Sequence, residues 1–212
     1  MANNGHQVGD GLGKHGDGIR SPIKLEKTSF TQGKERLIFY VGTSMIGGVN
    51  EKKLSESTKE RVKVYSHPGA TIPDIKHHLH AHLRKKPTHL ILQAGTNDAR
   101  NREITSDDIY EGLQDLKTFS ETEVPGLKVT ISCPMVRTDN KWANAKLTWV
   151  KNRIIRDKVS TILNDNIKVA HLSPRSGLHL KQEGTDILSS NVHKFIVNEI
   201  KCQKFIPEIK NH

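Results

Sequence analysis

The sequence predicts a three-layer α/β sandwich on the strength of two observations. Five short apolar or β-branched runs, each followed by Gly, Pro or Ser, have the length of buried strands. Between them lie segments whose apolar residues recur every three or four positions, as in helices with one buried face. Strand and helix alternate along the chain, so the strands should form a parallel sheet with helices on both faces, joined by right-handed crossovers.

The strands are expected at 36–41, 61–66, 88–93, 127–132 and 167–172. A helix over 71–84 carries Ile72, Ile75, Leu79 and Leu83 on one stripe, and a helix over 105–119 carries Ile109, Leu113 and Leu116. A longer one over 141–163 aligns Leu147, Val150, Ile154, Ile155, Val159 and Ile162. The last uses Ile187, Leu188, Val192, Ile196 and Ile200. With five strands the expected order is the flavodoxin-like 2-1-3-4-5.

Residues 1–34 read differently. Seven of the chain's 16 glycines lie there among polar residues, too little apolar surface to offset the entropy of ordering. A disordered tail or linker is expected, followed by a folded domain over 35–205. The longest apolar run, Leu37 to Val41, is far short of the ~20 residues of a membrane span, and no signal-peptide pattern opens the chain. Cys133 and Cys202 are too few for a disulfide framework or a zinc site. A cytoplasmic or nuclear setting is the resulting expectation.

The net charge is +10, from 33 Lys+Arg and 23 Asp+Glu. Most of the excess follows residue 121, and Arg137, Lys141, Lys146, Lys151, Arg153, Arg156 and Lys158 meet only Asp139 and Asp157 in their stretch. Such a face suits nucleic-acid phosphates or an acidic partner; the alternative is a solvated helix surface. Trp142 and Trp149, seven apart, have ordinary core spacing.

Open α/β sheets bind ligands beyond the carboxyl ends of their strands. There the sequence offers Ser44 after the first strand, Gly69 after the second, Asn97 after the third and His179 after the fifth. A serine hydroxyl needs a base to become a nucleophile, and His179 can serve. The backbone N–H groups of Ser44 and Gly69 and the Asn97 amide could hold an oxyanion. Each has a plainer reading, as a helix cap or turn residue. Their placement on one rim favours an acyl-transfer site. The cluster His77, His78, His80 and His82 lacks a third ligand set and reads as a solvated helix face, and Asp98 as a local brace.

The blocks Gly42-Thr43-Ser44-Met45, Pro68-Gly69-Ala70, Gly95-Thr96-Asn97-Asp98 and Gly177-Leu178-His179-Leu180 resemble, in order and spacing, those of the SGNH (GDSL-like) hydrolases. The resemblance implies a flavodoxin-like fold, no metal or organic cofactor, and ester hydrolysis through an acyl-serine intermediate on Ser44, Gly69, Asn97 and His179. The residues around the blocks are similar to esterase-like domains of animal non-long-terminal-repeat retrotransposons. Two positions depart from the family pattern: Thr43 replaces the Asp before the serine, and Ser176 stands where the triad Asp precedes the histidine. Loss of that Asp costs a serine protease on the order of 10⁴ in rate. Ser176 could orient His179 in its stead, giving a Ser/His dyad of reduced activity. The alternative is a weak or inactive module of the same fold that binds nucleic acid or an acidic partner through the basic helix.

Overall fold

The computed structural model describes residues 35–200. The expected tail over 1–34 and Cys202 lie outside them. Five parallel strands form one sheet: β1 (Leu37–Gly42), β2 (Arg61–Ser66), β3 (His89–Gln93), β4 (Lys128–Ser132) and β5 (Thr161–Ile162). Their order is β2-β1-β3-β4-β5, as the alternation predicts. Five helices connect and cover them: α1 (Glu51–Thr58), α2 (Ile72–Leu83), α3 (Ser106–Glu123), α4 (Lys141–Arg156) and α5 (Gln182–Phe195).

Side chains alternate across β1 and so divide the apolar interior in two. Phe39 and Val41 face a core completed by Ile75 and Leu79 of α2, Ile109 and Leu113 of α3, and Val150 and Ile154 of α4. Ile38 and Tyr40 face the other core, with Leu54 of α1 and Leu188 and Val192 of α5. A strand buried on both faces needs apolar residues at successive positions, which is why β1 carries Leu37 to Val41 and β3 carries Leu90 to Leu92 as unbroken apolar runs; β4 instead interleaves buried Thr130 and Ser132 with Val129 and Ile131.

Two elements differ from expectation. The fifth strand is Thr161–Ile162, paired with Ile131 and Ser132, and 167–172 instead holds a 3₁₀ turn at Val169–His171. The cause is an early end to α4. Lys158 adopts φ 52°, and the N–H groups of Lys158 and Val159 donate back to Ile155 and Ile154 at 3.1 Å each. This is the Schellman stop, with lysine at the left-handed position that glycine usually fills. Val159 and Ile162 keep helical phase by coincidence. Helix α1 buries only Leu54 and Thr58, so it offers no stripe to detect; Asn50 starts it by accepting the N–H of Lys53.

Candidate active site

The loops after β1, β2 and β3 are locked to one another. A Cβ on Gly42 would lie 2.7 Å from the Gln93 carbonyl, so only glycine lets β1 end this close to β3. Thr43 is buried, and its hydroxyl donates to Gln93 Oε1 at 2.9 Å. The Gln93 amide in turn donates to Thr96 Oγ1 at 3.2 Å. The residue that departs from the family pattern is therefore part of a bonded row joining the serine loop to the asparagine loop. On the other side, Ser66 Oγ donates to the Thr43 carbonyl at 3.0 Å and the His67 N–H to the Gly42 carbonyl at 2.7 Å.

Ser44 follows as the first residue of a 3₁₀ turn, Ser44–Ile46. Gly69 has φ 77° with open space where a side chain would project. Among the described residues, the backbone N–H groups of Ser44 and Gly69 have no acceptor, and neither has the Ser44 hydroxyl a partner. Asn97 Nδ2 donates to the Ala70 carbonyl at 2.8 Å, which spends one of its two amide hydrogens and ties it to the glycine loop. Asp98 strengthens the same junction. Its buried carboxylate accepts the N–H of Ile72, first residue of α2, at 3.0 and 3.2 Å, and burial raises its pKa.

His179 sits in a self-closed loop. Leu172 and Leu180 form an antiparallel bridge, and the Ser173 N–H donates to the His179 carbonyl at 2.7 Å. The Ser176 hydroxyl accepts the backbone N–H groups of Leu178 (3.3 Å) and His179 (2.9 Å), not the imidazole. The His179 ring is exposed and has no hydrogen-bond partner among the described residues. The fold thus unites Ser44, Gly69 and Asn97 on interlocked loops but forms no hydrogen bond between Ser44 and His179. Free sites often tighten such contacts only with substrate bound.

The loop after β4 went unread in the sequence, although the strand-end rule points to it. Arg137 holds it to its neighbours. The buried guanidinium donates to both oxygens of Asp139 at 2.7 and 2.6 Å and to the Thr96 carbonyl at 2.7 Å. Thr138 N–H reaches the Gly177 carbonyl at 2.7 Å, so this loop bridges the asparagine and histidine blocks.

The expected basic stripe is correspondingly depleted. Arg137 faces inward, which removes it from any phosphate-binding surface. Lys146 is buried, donating to the carbonyls of Asn101 and Ile104. Lys151 pairs with Asp165, and Arg153 and Arg156 both pair with Asp157. The bonds from Arg153, then the Tyr110 hydroxyl and Arg156, hold the Asp157 pKa at about 2. Only Lys141 and Lys158 of the seven lack a partner among the described residues. Trp142 and Trp149 are not core residues; they are 55% and 38% exposed on α4.

The histidines of α2 also depart from expectation. His78 and His82 are half-buried and pack on β2 and its loop: His78 stacks on His67 and His82 on Tyr65. Burial, with neighbouring positive charge, lowers the His67 pKa and brings that of His82 down to about 4. The partners come from β2, distant in sequence, so helical periodicity alone cannot reveal them. Beside Gly69 opens a cleft of about 420 Å³ lined by Ser66, His67, Pro68, Ala70, Asp74 and His78. A larger cleft of about 580 Å³, between α4 and residues 164–170, contains none of the rim residues.

No family model matches the sequence, and no curated protein matches it. Solved structures do. A family 3 carbohydrate esterase from Clostridium thermocellum is similar at a TM-score of 0.64 and 18% identity, over 80% of this chain and 99% of that one. A GDSL-like lipase from Bacteroides thetaiotaomicron gives 0.63 and 16%, over 77% and 88%. A catalytic mutant of an acetylxylan esterase from Geobacillus stearothermophilus gives 0.61 and 13%, over 76% and 94%. The fold is that of the SGNH hydrolases.

Proposed function

We propose that the chain is a cofactor-independent serine esterase acting on small acyl esters, acetyl esters among them. Ser44 Oγ attacks the acyl carbonyl while His179 takes its proton. The Ser44 and Gly69 N–H groups and the second hydrogen of the Asn97 amide hold the oxyanion. His179 then protonates the departing alcohol, and water releases the acyl group by the same steps in turn. The observation that carries this reading is the pair of backbone donors at Ser44 and Gly69 that have no acceptor among the described residues, beside an Asn97 tied to the glycine loop by its bond to Ala70. The acetyl-xylan and carbohydrate esterases among the structural neighbours support a short acyl group. So does the cleft beside Gly69, whose lining is mostly small or polar.

Hydrolysis of p-nitrophenyl acetate by wild type and Ser44→Ala tests it. The variant should lose at least about 10³-fold in kcat, and p-nitrophenyl octanoate should be the poorer substrate for wild type. Equal rates in the two proteins would remove Ser44 from the mechanism. That outcome would favour the competing reading, a non-catalytic module of this fold, whose support is Ser176 in the Asp position and a His179 ring without a partner among the described residues. Its nucleic-acid form has little support, since most of the basic stripe is ion-paired or buried.

A further inference from the structure

The rings of His67 and His82 face each other with Nε2 atoms 3.2 Å apart. Two imidazoles bound to one ion at about 2.0–2.1 Å stand at nearly this separation, roughly 3 Å. Each ring is held by a flat neighbour. His67 lies on His78, with centroids 3.9 Å apart and planes 6° from parallel. His82 lies on Tyr65 at 3.8 Å and 20°, with Phe39 edge-on behind it. The pair is thus oriented before any ligand arrives, which lowers the ordering cost of binding.

From this geometry we propose that His67 and His82 form a two-imidazole site for a late first-row divalent ion such as Zn²⁺ or Cu²⁺, bridging the loop after β2 to α2. Among the described residues no three His, Cys, Asp or Glu side chains converge on a metal position, so water completes the coordination. Without an ion, one Nε2–H donates to the other Nε2. Binding needs both nitrogens bare, so the donor ring moves its proton to Nδ1, where none of the described residues competes for it. No net proton is released. His78 is parallel to His67 and in face contact with it, so it holds that ring and does not share the ion. Imidazole-only coordination favours Cu²⁺ over Zn²⁺ and discriminates against Mg²⁺ and Ca²⁺. The site shares His67 with the lining of the cleft beside Gly69, but neither ligand is assigned a step in acyl transfer, so metal binding is read apart from esterase activity.

Titration calorimetry of the full chain with Zn²⁺ and with Cu²⁺ tests the proposal. Expected are one equivalent bound, Cu²⁺ tighter, no heat with Mg²⁺, and at least about tenfold weaker binding in His67→Ala and in His82→Ala. His78→Phe, which keeps a flat ring, and His77→Ala should stay within about threefold of wild type. Wild-type binding in His67→Ala, or its loss in His78→Phe, would overturn the assignment in favour of the His78/His82 pair on α2 or of a plain hydrogen bond. Should the variants fail to fold, anomalous scattering at the zinc edge from wild-type crystals soaked in Zn²⁺ decides: a peak between the two Nε2 atoms supports the site, and its absence refutes it.

Discussion

At the scale of single residues, the hydroxyl of Ser176 caps the turn that carries His179, and among the described residues nothing braces the imidazole itself. A carboxylate at 176 could accept the same two backbone N–H groups and still offer an oxygen to Nδ1. Ser176→Asp should therefore raise kcat for p-nitrophenyl acetate at least about tenfold, part of the roughly 10⁴ that a triad Asp contributes in a serine protease. An unchanged rate would mean that the histidine is oriented by something other than position 176. The candidates Ser44, Gly69 and Asn97 were legible because strand ends are marked by the change from apolar to Gly-rich sequence. The bonds that fix them were not. Thr43 to Gln93, Asn97 to Ala70 and Arg137 to Thr96 join residues that sequence spacing does not relate.

At the scale of elements, β1 and β3 could be read because strands buried on both faces are apolar at successive positions, and β2 and β4 because they alternate apolar with polar residues between turn signals. Strand β5 could not, since a two-residue edge strand carries almost no pattern, and α4 ended without the glycine that announces a stop. The lysine at φ 52° there has a consequence for stability. A side chain in the left-handed region costs roughly 1–2 kcal/mol, and glycine gives back about half of that gain through its freer unfolded chain. Lys158→Gly should therefore stabilise the fold by about 0.5–1 kcal/mol, raising Tm by about 2 °C in a thermal melt. Lys158→Val, whose branched side chain suits that backbone worst, should lower it.

At the scale of the whole molecule, the net charge of +10 says little about the rim, because most of the basic residues around α4 are ion-paired or buried. A single buried imidazole has more to say about global stability. His89 opens β3 at the middle of the sheet, 8% exposed, with Nδ1 on Thr88 Oγ1 at 3.0 Å and a buried Nε2 that has no partner among the described residues. Burial, reinforced by the charges of Arg36 and Lys128, lowers its pKa to about 4, against ~6.5 in an unfolded chain. Below pH ~6.5 the unfolded chain binds a proton that the folded one refuses, so stability falls from there down to about pH 4 and then levels off. Between pH 7.5 and 4.5 this residue should cost about 2 kcal/mol once solvent screening is allowed for. Urea denaturation of wild type and His89→Leu at the two pH values isolates the effect, because every other titrating group is common to both proteins. The variant should lose less stability on acidification by about that amount. Equal losses would mean that His89 takes up its proton in the folded protein.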